Sequence, residues 1–309
     1  MAVRDYAWKI IRNYPRVLRV PALRVRQQAL RVRRACGGFR VYYSPDAHGM
    51  TLEFGVRAWA ATAPALHTPD AWQAWCRSPW LPDGTGLPAL SSMAPMLRRR
   101  VNAIGKAALL PAYHVAATPV PASEGGSRLP QIPSIFASRH GDSERAFEML
   151  SELAASSPIS PTAFGLSVHN AIGALFSIDR GETSVQQAVA AGCDTVEAAV
   201  VEAAALLADG ADEVLLVCYD APLPAAYSEF ADEPGCLFGW AWRMGRPRAG
   251  DPAMRLEIVA QRGTREAEDT DTAHPVLPHG LDVLRFFLAG EPELMHRGER
   301  AIWRWQRHG

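Results

Sequence analysis

Gly192-Cys193-Asp194 stands where an apolar run gives way to a helical pattern. SVQQAVAA (184–191) reads as a strand, Gly192-Cys193 as a tight turn, and TVEAAVVEAAALLAD as a helix stopped at Gly210. A cysteine at a helix N-terminus sits at the positive end of the macrodipole. That position favours the thiolate, and the free amides of the turn can hold an oxyanion. Strand, turn and helix together make the geometry of a nucleophile elbow. Two considerations oppose a reactive Cys193. Asp194 disfavours the thiolate by like charge, and free cysteine often packs as a small buried apolar residue. Asp194 and Glu197 also have the D-x-x-E spacing of a capping box.

An acyl-transfer cysteine needs a base, and histidine is the usual one. His140 lies in SRHGD at the end of a short strand, where it faces the cleft of Cys193 or serves as a polar turn residue. His169 lies on an apolar helix, as a base or as a packed histidine. His274 and His279 fall in a proline-bearing loop with no motif. Cys76, Cys218 and Cys236 read as packing or turn residues. No CxxC pair or Cys/His ligand set occurs, so neither a metal nor a resident cofactor is expected.

The elements that must position these groups are those of an α/β protein. MTLEFGVRAWAA is a strand. HTPDAWQAWC is a short helix capped by Thr68 with Pro69 at its first position. MLRRRVNAIGKAALLPAYHVAA is a helix that Pro111 kinks or divides. PSIFASRHG is a strand, and DSERAFEMLSELAAS a helix with Phe147, Leu150 and Leu153 on one face. In SPISPTAFGLSVHNAIGALFSIDRG, Val168, Ile172, Leu175 and Phe176 line a helix apolar enough to be buried in the core or at an interface. EVLLVCYD fits a buried central strand. In the tail AIWRWQR, an extended chain puts Trp303 and Trp305 on one face, suited to a sheet edge or a partner.

The 309 residues carry no net charge, yet residues 1–49 hold eleven basic side chains against two acidic ones, leaving 21 basic against 30 acidic beyond. An acidic body argues against nucleic acid as a partner. Residues 1–49 are expected to be a poorly ordered basic extension, either touching an anionic surface or membrane weakly or serving as an appendage, with one domain over 50–309. Five unpaired cysteines and the absence of any long apolar run imply a cytoplasmic protein.

From about Ile159 to Asp220 the chain resembles the first half of a β-ketoacyl-ACP synthase of the thiolase fold. The carriers are ISPTAFGLSVHNAIGALFSIDRG, with Asn170 at that family's Asn position, and SVQQAVAAGC, which puts Cys193 at the nucleophile position. PMLRRRV, FASRHGD, SPTAFGLSVHNAIG, the AG-x-DT turn, EVLLVCYDAPLP and RGERAIWRWQR are similar to the short chain-length-factor-like subfamily of aryl polyene and xanthomonadin-type pigment clusters. The resemblance implies a thiolase-like α/β fold: a single N-terminal-type half, a mixed sheet flanked by helices, without the complete C-terminal half. The HGTGT and GH-x-LG histidine motifs of full synthases do not occur here. The implied role is a non-condensing partner of a full-length β-ketoacyl synthase, in a heterodimer served by an acyl carrier protein whose acyl thioester is the ligand. Ser167, His169, Asn170, Ile172, Leu175 and Gly192 would then line an acyl pocket or interface. An independent acyltransferase using Cys193, with His140 or His169 as base, and a purely structural interaction protein are the alternatives.

Overall fold

The computed structural model describes residues 41–44, 49–117, 131–261, 277–299 and 301–308. Most of the basic extension lies outside them. Its end, Val41–Ser44 (β1), pairs antiparallel with Gly49–Thr62 (β2).

Along the chain follow Pro69–Arg77 (α1), Pro95–Arg98 (α2), Ala103–Ala117 (α3), Ser134–Ala137 (β3), Ser143–Ala154 (α4), Pro161–Ser167 (α5), Ala171–Arg180 (α6) and Gln186–Val189 (β4). Thr195–Ala208 (α7), Glu213–Asp220 (β5), Phe238–Gly245 (β6), Ala253–Gln261 (β7), His279–Ala289 (α8), Glu293–Arg297 (β8) and Ala301–His308 (β9) complete it. The strands form one mixed sheet in the order β4-β3-β5-β6-β2-β7-β9-β8, with β1 beside β2. β4, β3 and β5 run parallel; the other pairings are antiparallel. No helix among the described residues is long and apolar enough to cross a membrane.

Alternation along the strands divides the core into two layers. On β5, Val214, Leu216 and Cys218 face one layer, with Trp240 and Trp242 of β6, Leu281, Leu284 and Phe286 of α8, and Trp303 and Trp305 of β9. Leu215, Val217 and Tyr219 face the other, with Ala108 and Ala112 of α3 and Ile172, Leu175 and Phe176 of α6. β5 is buried on both faces, which is why its sequence is a continuous apolar run.

Several local expectations hold. Thr68 caps α1, accepting from the Ala71 amide at 3.2 Å, and the helix expected from DSERAFEMLSELAAS forms as α4. Others need correction. Pro111 lies inside α3 and does not divide it; the break falls at 99–102, where Asn102 Oδ1 accepts from the Gly105 amide. The apolar segment is two helices, α5 and α6, because Val168 adopts an extended conformation between them. α4 packs Phe147 on Tyr227 but exposes Leu150 and Leu153, so part of its apolar face is uncovered among the described residues.

Candidate functional site

Cys193 lies in a 3-10 turn, Gly192–Asp194, between β4 and α7. Gly192 has φ +58°, where a side chain would be strained. Buried Thr195 pins the turn: its hydroxyl donates to the Gly192 carbonyl at 2.7 Å and accepts from the Ala191 amide at 3.0 Å. Strand, turn and helix stand where the sequence places them.

The capping box does not form. Asp194 makes no cap bond to α7. Its carboxylate reaches the C-terminal hairpin, accepting from the Glu299 amide at 3.1 Å and from Trp303 Nε1 at 3.0 Å. Glu197 is fully buried, and its Oε1 accepts from His279 Nε2 at 2.6 Å and Trp305 Nε1 at 2.8 Å. Burial alone would raise the Glu197 carboxyl and lower His279. Their mutual charge and hydrogen bond outweigh it, leaving Glu197 below and His279 above the usual values. The two form a buried ion pair.

His296 of β8 stacks on His279, ring centroids 3.5 Å apart and planes 15° from parallel. Burial, then the charge of His279, lowers its pKa, so His296 is neutral at pH 7. Its Nε2 bonds the Cys193 carbonyl at 3.0 Å and lies 3.7 Å from Asp194 Oδ1. The Cys193 turn is thus bonded by His296, Glu299 and Trp303, and Glu197 of α7 by His279 and Trp305, all from the last 31 residues. His279 and His296 carry no motif. The one sequence signal for them is Glu197, a carboxylate on a helix otherwise apolar enough to need a buried partner.

The thiol itself is not activated. Burial raises its pKa first, and the carboxylates of Asp194 and Glu299 raise it further; Arg139 and the Glu299 amide oppose them too weakly. The expected help from the α7 dipole is overridden, and Cys193 is a protonated thiol at neutral pH.

Neither proposed base, His140 or His169, is among the groups that act on the Cys193 thiol. His140 lines a recess of about 30 Å³ with Asp220, Glu233 and Cys236. There burial, then Arg139, lowers its pKa. Burial lifts Asp220 to about 7 against bonds from Ser138 and the Arg139 amide. His169 holds the Val189 carbonyl through Nε2 at 3.3 Å and packs on Gly141. Ser167 donates to the Phe164 carbonyl, and Asn170 is exposed at the start of α6. Ile172 and Leu175 are buried in the core layer between α6 and the sheet.

Two donor sets share His296, namely Cys193 with Asp194, and Glu197 with His279; within each set the ligand atoms lie within 4.8 Å of one another. An imidazole binds a metal in its ring plane. The stacked rings therefore cannot both point at one ion in this arrangement, and the first set would have to release the Cys193 carbonyl from His296.

Beside the turn, an open groove of about 410 Å³ runs between β4 and α7, lined by Gln187, Ala188, Val189, Ala190, Ala191, Ala198 and Glu202. It flanks an edge of the sheet, since among the described residues β4 bonds only β3.

Residues 72–306 match the description "Beta-ketoacyl synthase, N-terminal domain". No curated protein matches the sequence. Among solved structures, the chain is similar to a chain of the ketosynthase (ApeO) in complex with its chain length factor (ApeC) from Xenorhabdus doucetiae. That likeness has 26% identity and a TM-score of 0.66, covering 83% of this chain and 100% of that one. The ishigamide ketosynthase/chain length factor shares the fold at 12% identity, with a TM-score of 0.60 over 83% of this chain and 99% of that one. The described residues build a thiolase-like α/β half of the N-terminal type, its sheet extended by β7, β9 and β8. The chain belongs to the β-ketoacyl synthase N-terminal domain family.

Proposed function

We propose that this chain is a chain length factor: a non-condensing subunit that pairs with a full β-ketoacyl synthase and shapes the space available to the growing acyl chain in polyketide- or fatty-acid-like synthesis. The observation that carries it is the uncovered flank of the sheet. β4 presents an unpaired edge, and the elements beside it expose Phe164 (59%), Val168 (44%), Ile178 (66%) and Val185 (51%). Apolar surface of that kind beside an open strand marks an interface. The state of Cys193 supports the non-condensing part: a protonated thiol with two carboxylates beside it, and a neighbouring His296 whose Nε2 is engaged by the Cys193 carbonyl. The likeness to a chain of a ketosynthase and chain length factor complex supports the kind of partner. That chain is matched end to end by 83% of this one, so it too is of short length.

The acyl carrier protein as donor, the aryl polyene class of product and a cytoplasmic location belong to this proposal. So does an acyl-facing role for Ser167, His169, Asn170, Gly192 and Cys193. In the same reading Ile172 and Leu175 support the wall from the core side. Residues 1–49 act as a basic extension joined to the domain through β1. The test is co-expression with a full ketosynthase encoded beside this chain. The expected result is co-elution as a heterodimer with an acyl carrier protein-dependent activity. Separate elution of two stable proteins would sink the reading.

A further inference from the structure

Among the described residues β4 bonds β3 alone, so its other side meets whatever completes the sheet. Alternation along β4 sends its side chains to two different neighbours. Gln186 lies against Gly173 of α6. Gln187, one residue on, belongs to the opposite face and lines the groove between β4 and α7 with Ala198 and Glu202. The α6 face is apolar, with Ile178 66% exposed. The α7 face is not. Glu202 is the one charged residue lining the groove; it is exposed and makes no ion pair with a described residue. The side-chain oxygen of Gln187 is buried with no hydrogen-bond donor among the described residues. Neither β4 nor α7 carries a cation that could meet them.

We propose that this groove selects the partner by charge: the ketosynthase segment that completes the β4 edge carries a lysine or arginine that enters the groove and meets Glu202, the specificity-determining residue of the pairing. The inference rests on the ketosynthase-partner reading above and adds the chemistry of the occupant. An extended segment suits both faces, because alternate side chains of one strand set an apolar group towards Ile178 and a cation towards Glu202. The alanine walls leave room for a long aliphatic stem. The cationic head also supplies the donor that Gln187 lacks. A second copy docked edge to edge brings another carboxylate and no cation, so the same groove disfavours self-pairing. An exposed ion pair contributes little. Closing the groove takes Glu202 out of water, and a carboxylate left there without its partner then weakens the complex.

The test is a competition for the full ketosynthase encoded beside this chain. Native full-length chain and a Glu202 variant are co-expressed in equal amounts with limiting tagged ketosynthase, and the captured chains are counted by intact mass. Glu202→Arg is expected to be captured at least about tenfold less than the native chain, and Glu202→Gln about threefold less. Raising the salt from about 0.05 to about 0.5 M should narrow the Glu202→Gln deficit, which a purely steric effect would not do. Glu202 is exposed, so both variants should keep the native denaturation midpoint. Equal capture of Glu202→Arg and native chain by a ketosynthase that does pair overturns the charge selection and leaves the partner reading standing. Better capture of Glu202→Arg assigns the groove to this chain's own basic residues 1–40, which the reversed charge would expel, and overturns the proposal too. So does a homodimer of the native chain that Glu202→Arg abolishes, which would give the groove to a second copy. Capture of neither chain sinks the partner reading and this inference together.

Discussion

Glu197 shows how a residue can be plain in sequence and wrong in role. Four positions after Cys193 and three after Asp194, it has the spacing of a cap, and local pattern offers no other partner. Its actual partners, His279 and Trp305, lie 82 and 108 residues away, and nothing in the sequence pairs either with it. Removing one side of a buried ion pair strands the other, so Glu197→Ala should cost about 3–5 kcal/mol in urea denaturation. The pH dependence carries a second signature. His279 is raised above its unfolded value of 6.5, so its contribution is full below that pH and is lost as pH rises through the raised value. Glu197 is lowered from 4.5, so its contribution is present above that pH and is lost as pH falls through the lowered value. His296 acts oppositely to His279. Its proton is disfavoured in the fold, so stability falls as pH drops through 6.5. Relative to His296→Gln, the native chain should lose denaturation midpoint as pH falls from 6.5 to about 5.5, an interval over which protonation of buried Asp220 acts on both chains alike. A native chain that gains on the variant over that interval would contradict the stacked neutral histidine.

At the scale of elements, the strands and helices whose boundaries carry a local signal were the most legible. The apolar run of β5 and the capped start of α1 needed no tertiary information. α5 and α6 were less so, because continuous apolar composition hides a break that the extended backbone of Val168 makes. The tail was legible as a strand with two tryptophans on one face, but its place between β7 and β8 was not, since antiparallel pairing across 45 residues leaves no local mark. Trp305 is fully buried and bonded to Glu197, so Trp305→Ala should cost about 3–5 kcal/mol by the same denaturation. Ile178 and Val185 present the opposite case. Both are more than half exposed, so Ile178→Glu and Val185→Glu should change stability by no more than about 0.5 kcal/mol. The same changes should abolish co-elution with the ketosynthase. A destabilised chain that still binds would move the interface elsewhere.

For the whole molecule, the two-layer core is complete around β5, β6 and β2, while the β4 end of the sheet is not. One end is finished by the chain's own hairpin, and the other is uncovered among the described residues. The finished end covers the cysteine; the unfinished end carries the apolar residues. That division is what a subunit needs if it lends shape to a partner and does no condensation itself. The decisive measurement is condensation by the reconstituted pair, with one nucleophile removed at a time. The account predicts that Cys193→Ala in this chain leaves the pair's rate unchanged, while removing the ketosynthase's own cysteine abolishes it. Loss of activity with Cys193→Ala in a pair that still assembles, or condensation that survives without the ketosynthase's cysteine, would contradict it.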